Sequence, residues 1–355
     1  MITKNVTTQS LLQSLKTDYL NLIWIAEHAK VDFEHFLAVA NKANFKIAGG
    51  IFPGILYGKE RFEDAAIIHY LPLESEMALF PHKGSKELPD LPNECNSIYL
   101  MVDGLAEGIP EVLLSMYQKY WDTVSIIGGG CGSLSLKQKP CIFTNAGIFQ
   151  DHALMITSQE SIQIGIQHGW KKIAGPFIIS KAKDNVIHEI NWEPAFDFYK
   201  KIVDGFSSQP VEKEAFFDVS KAYPFGIGRE GHEDIVRDPI VSEDGKSITC
   251  VGEMPENATI KILMGAEDEL IKSAELAANI ALKNISPSSI FVVDCISRVL
   301  FLEGNYEKEL GAIQDQLAGK LDTPLEGVLS LGEISTYGEG FIEFFNKTIV
   351  VSAKY

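Results

Sequence analysis
Val124–Ser135 reads VSIIGGGCGSLS, and an earlier segment, Lys46–Tyr57, reads KIAGGIFPGILY. In both, an apolar, β-branched run enters a cluster of glycines and resumes on the far side. A glycine inside a strand marks a bulge or a close approach of backbone or ligand. Each segment follows a helix-period stretch. Asp32–Ala43 carries Phe33, Phe36, Leu37 and Ala40 on one face, and Ile109–Tyr120 opens with Pro110 in its first turn. Each of those helices follows a short apolar strand, Leu20–Ala26 or Ser97–Val102. Further strands are expected at Phe62–Leu71, Cys141–Gly147 and His152–Ser158.

The same order returns near the end of the chain. Ile290–Cys295 reads as a strand, Glu307–Leu317 as a helix, and Leu325–Tyr337 as a strand with Gly332 inside it. Phe341–Ser352 follows as two more strands. Strand, helix, glycine-interrupted strand, strand is therefore an internal repeat with unequal spacings, not a solenoid. The pattern predicts an α/β (mixed α+β) fold, with two packed layered domains built from these units. The stretch at 160–285 differs from the repeats. It holds the strand-like FIISKAKDNVIHEI, a helix at Pro194–Asp204, the polar GIGREGHEDIVRDP, the strand pair SITCVGEM and a long helix at Ala266–Lys283. Asp268 or a neighbour is expected to cap that helix. The domain boundary is placed near Glu189–Asn191, giving domains 20–190 and 191–352.

Composition narrows the function. The 355 residues carry 31 Lys and Arg against 48 Asp and Glu, a net charge of −17. No basic run is present to neutralise phosphates or anionic lipid, so neither a nucleic-acid nor a membrane partner is expected. The apolar fraction of 46% suits a folded globular chain. Five cysteines, none in a CxxC spacing, argue against a disulfide framework or a Cys-rich zinc site, and favour a reducing compartment. The apolar stretch Leu20–Ala26 is too short to span a bilayer. The expectation is a soluble, cytoplasmic protein.

Catalytic motifs are sparse. Gly128, Gly130 and Ser133 approach GxGxxG, but turn and strand follow where the dinucleotide fingerprint needs a helix, so a bulged strand is the better reading. Cys295 ends a strand just before ISRVLFL, a helix start, with Arg298 three residues on. That placement predicts a lowered thiol pKa and a candidate nucleophile, with His168 or His232 as base. A buried thiol packing at a strand end is the plainer alternative. No HxH or HExxH spacing occurs among the eight histidines, and a single axial histidine to haem needs no local motif. Glu333, directly after Gly332, faces either solvent or a pocket.

Taken in order, these segments resemble a known family. IAGGIFPGILYG, VSIIGGGCGSL and FTNAGIFQDHALMI are similar to the N-terminal half of the FIST family of bacterial sensory domains. HGWKKIAGPFIIS, KDNVIHEINWEPAFDFY, YPFGIGR, VRDPI, GEMPENATIKILMG, DCISRVLF, EGVLSLGEISTYG and FFNKTIVV resemble the rest of that half and the FIST C-terminal half. The resemblance spans about 20–350. It implies a stand-alone, non-enzymatic sensor that binds a small ligand, an amino acid or related metabolite. In a subset of the family it implies haem, nitric-oxide sensing and a partner histidine kinase. Carried over by motif, His168 and Gly169 match the HG step, and Arg237 the Arg after the YP segment. Cys295 and Arg298 match C-x-x-R, Gly332 and Glu333 match GE, and Asn346 and Thr348 match N-x-T. On that footing Arg237 and Arg298 would suit a ligand carboxylate and Glu333 an amino group. His168, or else His232, would ligate haem. An enzyme using Cys295 is the alternative from another class.

Overall fold
The computed structural model describes residues 2–84, 88–121, 123–229, 233–337 and 340–355. The first repeat opens with β1 (Ile2–Thr3) and α1 (Thr8–Gln13). It continues through β2 (Leu20–Ala26), α2 (Phe33–Lys42), β3 (Lys46–Phe52), the hairpin β4 (Gly54–Tyr57) and β5 (Glu60–Phe62), and β6 (Ala66–Leu71). The second has β7 (Met77–Pro81), β8 (Ser97–Asp103), α3 (Ile109–Tyr120), β9 (Ser125–Cys131), the hairpin β10 (Ile142–Thr144) and β11 (Gly147–Phe149), and β12 (His152–Ser158).

The third begins with β13 (Ile162–Gln167) and is then interrupted. The inserted strands are β14 (Lys171–Lys183), β15 (Val186–Ile190), β16 (Glu193–Pro194), β17 (Phe225–Ile227), β18 (Ile235–Arg237), β19 (Pro239–Val241), β20 (Ile248–Cys250) and β21 (Thr259–Met264). With them come α4 (Ala195–Val203) and α5 (Phe216–Ser220). The repeat then resumes with α6 (Glu267–Ala281), β22 (Ser289–Cys295), α7 (Ile296–Leu302), α8 (Tyr306–Gln316) and β23 (Glu326–Ser330). It closes with the hairpin β24 (Glu333–Tyr337) and β25 (Phe341–Phe345), and β26 (Ile349–Lys354).

Each repeat pairs its two main strands in parallel, β2 with β3, β8 with β9 and β22 with β23, across a helical crossover. Its last strand lies antiparallel to the first, as in β6 on β2. The hairpin goes elsewhere. β4 pairs with β23, β10 with β3, and β24 with β9. The three repeats thus exchange hairpins in a closed ring, forming three six-stranded sheets. The glycine-interrupted strands expected at 46–57 and 325–337 are each two strands in two sheets. The corners are Pro53 and the Leu331–Gly332 step, where Gly332 has φ +144°.

The glycine run in β9 reflects a close backbone approach, not a bulge. The β8–β9 register is unbroken, and a Cβ on Gly128 would lie 1.6 Å from the Leu100 carbonyl oxygen. The three sheets turn one face inward to a shared core that includes Trp24, Met101, Ile142, Val293 and Val328. Their outer faces are covered by α2, α3 and α8 in turn.

The insertion forms a near-barrel in the order β18-β17-β21-β14-β15-β20-β19. Its two edges, β18 and β19, are one segment broken only at Asp238, and α4 fills its core with Phe196, Tyr199 and Val203. The strands of the near-barrel lie on both sides of residue 190, with β14 and β15 before it and β16 to β21 after it. The near-barrel leaves the threefold body at the end of β13 and returns at α6. The capping side chain expected at Asp268 is absent: Ala266 is the N-cap, and Glu267, Asp268 and Glu269 meet the helix dipole in the first turn. No helix among the described residues is long and apolar enough to cross a membrane.

Candidate functional site
The third repeat breaks the pattern of the shared core. In the other repeats the hairpin residue facing the main strand is apolar: Ile142 opposite Gly50 and Ile55 opposite Val328. At the matching step Glu333 stands opposite Gly129, fully buried. Its Oε1 accepts from the Ser330 hydroxyl at 2.7 Å and its Oε2 from the Thr348 N–H at 3.2 Å. The Cys295 side chain hydrogen-bonds it as well. Burial pushes the carboxyl up to about 8 against those bonds, so at neutral pH it is largely an uncharged acid that can donate a proton as well as accept one. Beside Glu333 the β25–β26 turn supplies Asn346, whose buried Oδ1 has no hydrogen-bond partner.

Cys295 is buried at the end of β22. Burial, with Glu333 beside it, raises its thiol well above the ordinary value. This corrects the lowered pKa expected from the Arg298 spacing. Arg298 spends its charge elsewhere: its Nε lies 2.8 Å from Glu309 and 3.4 Å from Asp294. Its NH1 donates to the carbonyls of His168 (2.6 Å) and Lys347 (3.2 Å), and its NH2 to the Leu270 carbonyl (3.0 Å) and Ser273 Oγ (3.2 Å). All five N–H groups of this buried guanidinium thus face protein acceptors. Burial and their mutual repulsion raise the pKa of Asp294, and burial raises that of Glu309, despite the arginine between them.

Arg237 works in the same way. It reaches the carbonyls of Glu253, Val236 and Phe344, and Glu343 at 3.3 Å. Lys347, in the middle of the N-x-T motif, crosses into the near-barrel. Its Nζ lies 3.0 Å from Asp238 and 2.9 Å from the Lys221 carbonyl, over the Trp170 ring. Ser297 also donates to Asp238, at 3.3 Å. Arg237 and Lys347 thus stitch the threefold body to the insertion, and Arg298 braces the point where the chain leaves β13.

His168 sits where the chain leaves β13, and is buried. Its Nδ1 accepts from the Trp170 N–H at 2.9 Å, and its Nε2 lies 2.7 Å from Glu233. Gly169 follows with φ +77°, and a Cβ there would fall 2.5 Å from Ser273 Oγ. An axial haem ligand needs a ring nitrogen with an uncommitted lone pair. The lone pair of His168 is used by the Trp170 amide and its N–H by Glu233, so His168 does not fit that role as placed. His232 lies outside the described residues. Among the described residues no group of three or more His, Cys, Asp and Glu side chains is placed to hold a metal ion.

Most of the sequence-expected residues therefore converge on one junction. Cys295 and Glu333 meet there, Asn346 follows Phe345, the strand partner of Glu333, Arg298 and His168 brace the junction, and Arg237 ties the near-barrel to β25. Sequence reading missed Ser330, Asp238, Asp294, Glu309 and Lys347. Three of them adjoin a residue it did single out: Asp238 after Arg237, Asp294 before Cys295, and Lys347 after Asn346.

Against known protein families, the FIST N domain matches residues 21–193 and the FIST C domain residues 195–336. The turn bearing Asn346 and Thr348 lies beyond the matched span. No curated protein matches the chain.

Proposed function
The chain belongs to the FIST family, with both of its sensory signalling domains present, and from that premise we propose that it is an intracellular, non-enzymatic sensor of a small polar metabolite, an amino acid or a close relative. In this reading the ligand meets Glu333, Asn346 and Cys295, while Arg298, Arg237 and His168 position them and do not bind it. The observation that carries the reading is Glu333. A buried acid stands where the other two repeats place isoleucine, beside an amide oxygen with no partner. Burying such groups costs stability unless something uses them. A neutral carboxyl and a carbonyl oxygen suit a ligand amino or hydroxyl group. Binding there would be felt at the Lys347–Asp238 pair, one residue from Asn346. The signal would then pass through the near-barrel to a partner protein, a histidine kinase in this reading. Haem is not adopted as the ligand, because His168 is committed to Trp170 and Glu233. Cys295 is not adopted as a nucleophile, because its thiol is held neutral.

Thermal-shift measurements on the full chain with a panel of amino acids and related metabolites test this. A ligand that binds only the folded state raises the melting temperature. The expected result is a concentration-dependent rise with one chemical class, lost in Glu333→Gln and reduced in Asn346→Ala. No rise across the panel, or an equal rise in Glu333→Gln, overturns the reading. A Soret band on adding haemin that disappears in His168→Ala would put haem in its place.

A further inference from the structure
On the outside of the molecule the three repeats differ in how each helix holds the hairpin it receives. Asn41 of α2 and Asn145 of the β10–β11 turn exchange side-chain bonds, at 2.9 Å to the Asn145 carbonyl and 2.7 Å to the Asn41 Oδ1. Asp315 of α8 pairs with Lys59 of the β4–β5 turn at 2.8 Å. The corresponding tie between α3 and β25 is a ring stack, Tyr117 on Phe341, with centroids 5.1 Å apart and planes 7° from parallel. Two repeats thus show that polar side chains are enough for this contact. The remaining one makes it apolar and leaves it exposed. Phe341 is 52% exposed, Leu114, one turn before Tyr117, is 55% exposed, and Trp121, its ring 6.3 Å from that of Tyr117, is 56% exposed. Lys119 is the one charged residue of α3 between Leu114 and Trp121, and Asp90 holds it at 2.9 Å. The same place has an open sheet edge, since β25 ends its six-stranded sheet. The Phe344 carbonyl faces outward there, to Arg237 NH1 at 3.0 Å. Residues two apart on a strand present their N–H and C=O to the same edge. Those of Ile342 therefore face outward too, with no strand beyond them among the described residues.

We propose that this edge and its aromatic patch are a dimer interface, with β25 of one protomer pairing antiparallel with β25 of a second copy about a two-fold axis at Ile342. An open edge is completed by a strand, and a two-fold contact is reciprocal, so each Ile342 N–H meets the carbonyl of the other. Phe341 then lies across from the partner's Glu343. Arg229 at 3.1 Å and Arg237 at 3.3 Å already neutralise that carboxylate within its own chain, so no bare charge faces the ring. Electrostatics select the same patch. A chain of net charge −17 repels its own copy over most of its surface, and self-association is favoured where the surface is apolar and uncharged. The open part of β25, Phe341–Glu343, makes a short ladder, whereas a stable interface buries roughly 800 Å² per partner. Leu114, Tyr117, Trp121 and Phe341 therefore carry most of the contact. The interface does not depend on what Glu333 binds, although Glu333 lies on β24, the strand paired with β25.

Sedimentation velocity on the full chain over a dilution series tests this. The wild type is expected to dimerise, and more tightly as salt rises, because salt screens the repulsion between the two acidic chains and leaves apolar contact intact. Phe341→Lys and Leu114→Lys change exposed side chains and should fold. Each puts a cation into the apolar patch of both protomers and should weaken the dimer at least about tenfold. Ile342→Pro removes the N–H that pairs across the axis and should weaken it as well. Should that variant fail to fold, the two lysine variants decide. Trp192→Lys is the control: Trp192 is 74% exposed on the near-barrel, and its loss should leave the dimer unchanged. A wild type that stays monomeric up to about 100 μM overturns the proposal and leaves the edge to a strand of another protein. A dimer undiminished in Phe341→Lys and Leu114→Lys, or weakened equally by Trp192→Lys, overturns it too. So does a dimer that dissociates as salt rises, since it would rest on ion pairs. None of these results bears on Glu333 and its ligand, which are tested separately.

Discussion

Glu333 makes the core answer to pH. In the unfolded chain its carboxyl ionises near the ordinary value of 4.5, whereas in the fold burial holds it up to about 8. Between those values the folded state binds the extra proton, so stability falls as pH rises and levels off above the folded pKa. One such group contributes a slope of up to about 1.4 kcal/mol per pH unit. Asp238, Asp294 and Glu309 are raised as well, all with burial as the first cause, but they are present in both proteins of the comparison below. Glu333→Gln keeps the shape and has no proton to lose. Urea unfolding between about pH 5.5 and pH 7.5 should therefore show the wild type losing stability relative to Glu333→Gln as pH rises. Parallel curves would mean that Glu333 is ionised in the fold.

Elements carry the next constraint, and β8 and β9 show it most sharply. A methyl group on Gly128 would run into the Leu100 carbonyl at 1.6 Å, an approach that side-chain rearrangement cannot relieve. Gly128→Ala should cost at least about 3 kcal/mol, by forcing the parallel pair apart. Gly304 is the control: nothing lies within 4 Å of its added Cβ, so Gly304→Ala should change stability by less than about 0.5 kcal/mol. Equal melting temperatures for the two variants would contradict the packing described. This constraint was visible in the sequence as a glycine run, and helices such as Phe33–Lys42 and Ile109–Tyr120 lie within a residue of their expected bounds. The place where the chain leaves one sheet for another was not visible. Gly54–Tyr57 and Glu333–Tyr337 continue the same extended, apolar pattern as the strands before them, and only Pro53 and Gly332 mark the turn. The site was legible to a similar depth. Cys295, Glu333 and Asn346 follow from motif positions, but the Lys347–Asp238 pair joins residues from distant segments, and no local pattern records such a pairing. The same holds for Arg298, whose partners in five separate segments absorb the charge that the C-x-x-R spacing seemed to offer Cys295.

The ring of exchanged hairpins binds the whole molecule together. β4 needs β23, β10 needs β3, and β24 needs β9. Among the described residues, β13 pairs with β26 alone. Two of the three exchanges and the β13–β26 pair cross the division between the FIST N and FIST C regions. A fragment ending at residue 190 would keep the helices and parallel pairs of two repeats. It would expose the edges of β4, β9 and β13, and it would lose Phe291, Val293, Val328 and Val350 from the shared core. Unpaired apolar edges of that kind are aggregation templates. The near-barrel would also be cut, since β14 would be left without β21. Residues 1–190 alone should therefore show no cooperative thermal transition. Mixing with residues 191–355 during refolding should restore the near-ultraviolet signal of buried Trp24 and Trp170, because each half supplies the strands the other lacks. A reversible, cooperative transition in the isolated fragment would show that the two regions are separable folding units. It would also remove the route by which a ligand held at β22–β24 could be felt in every sheet, since that coupling depends on strands of both regions sharing the same ladders.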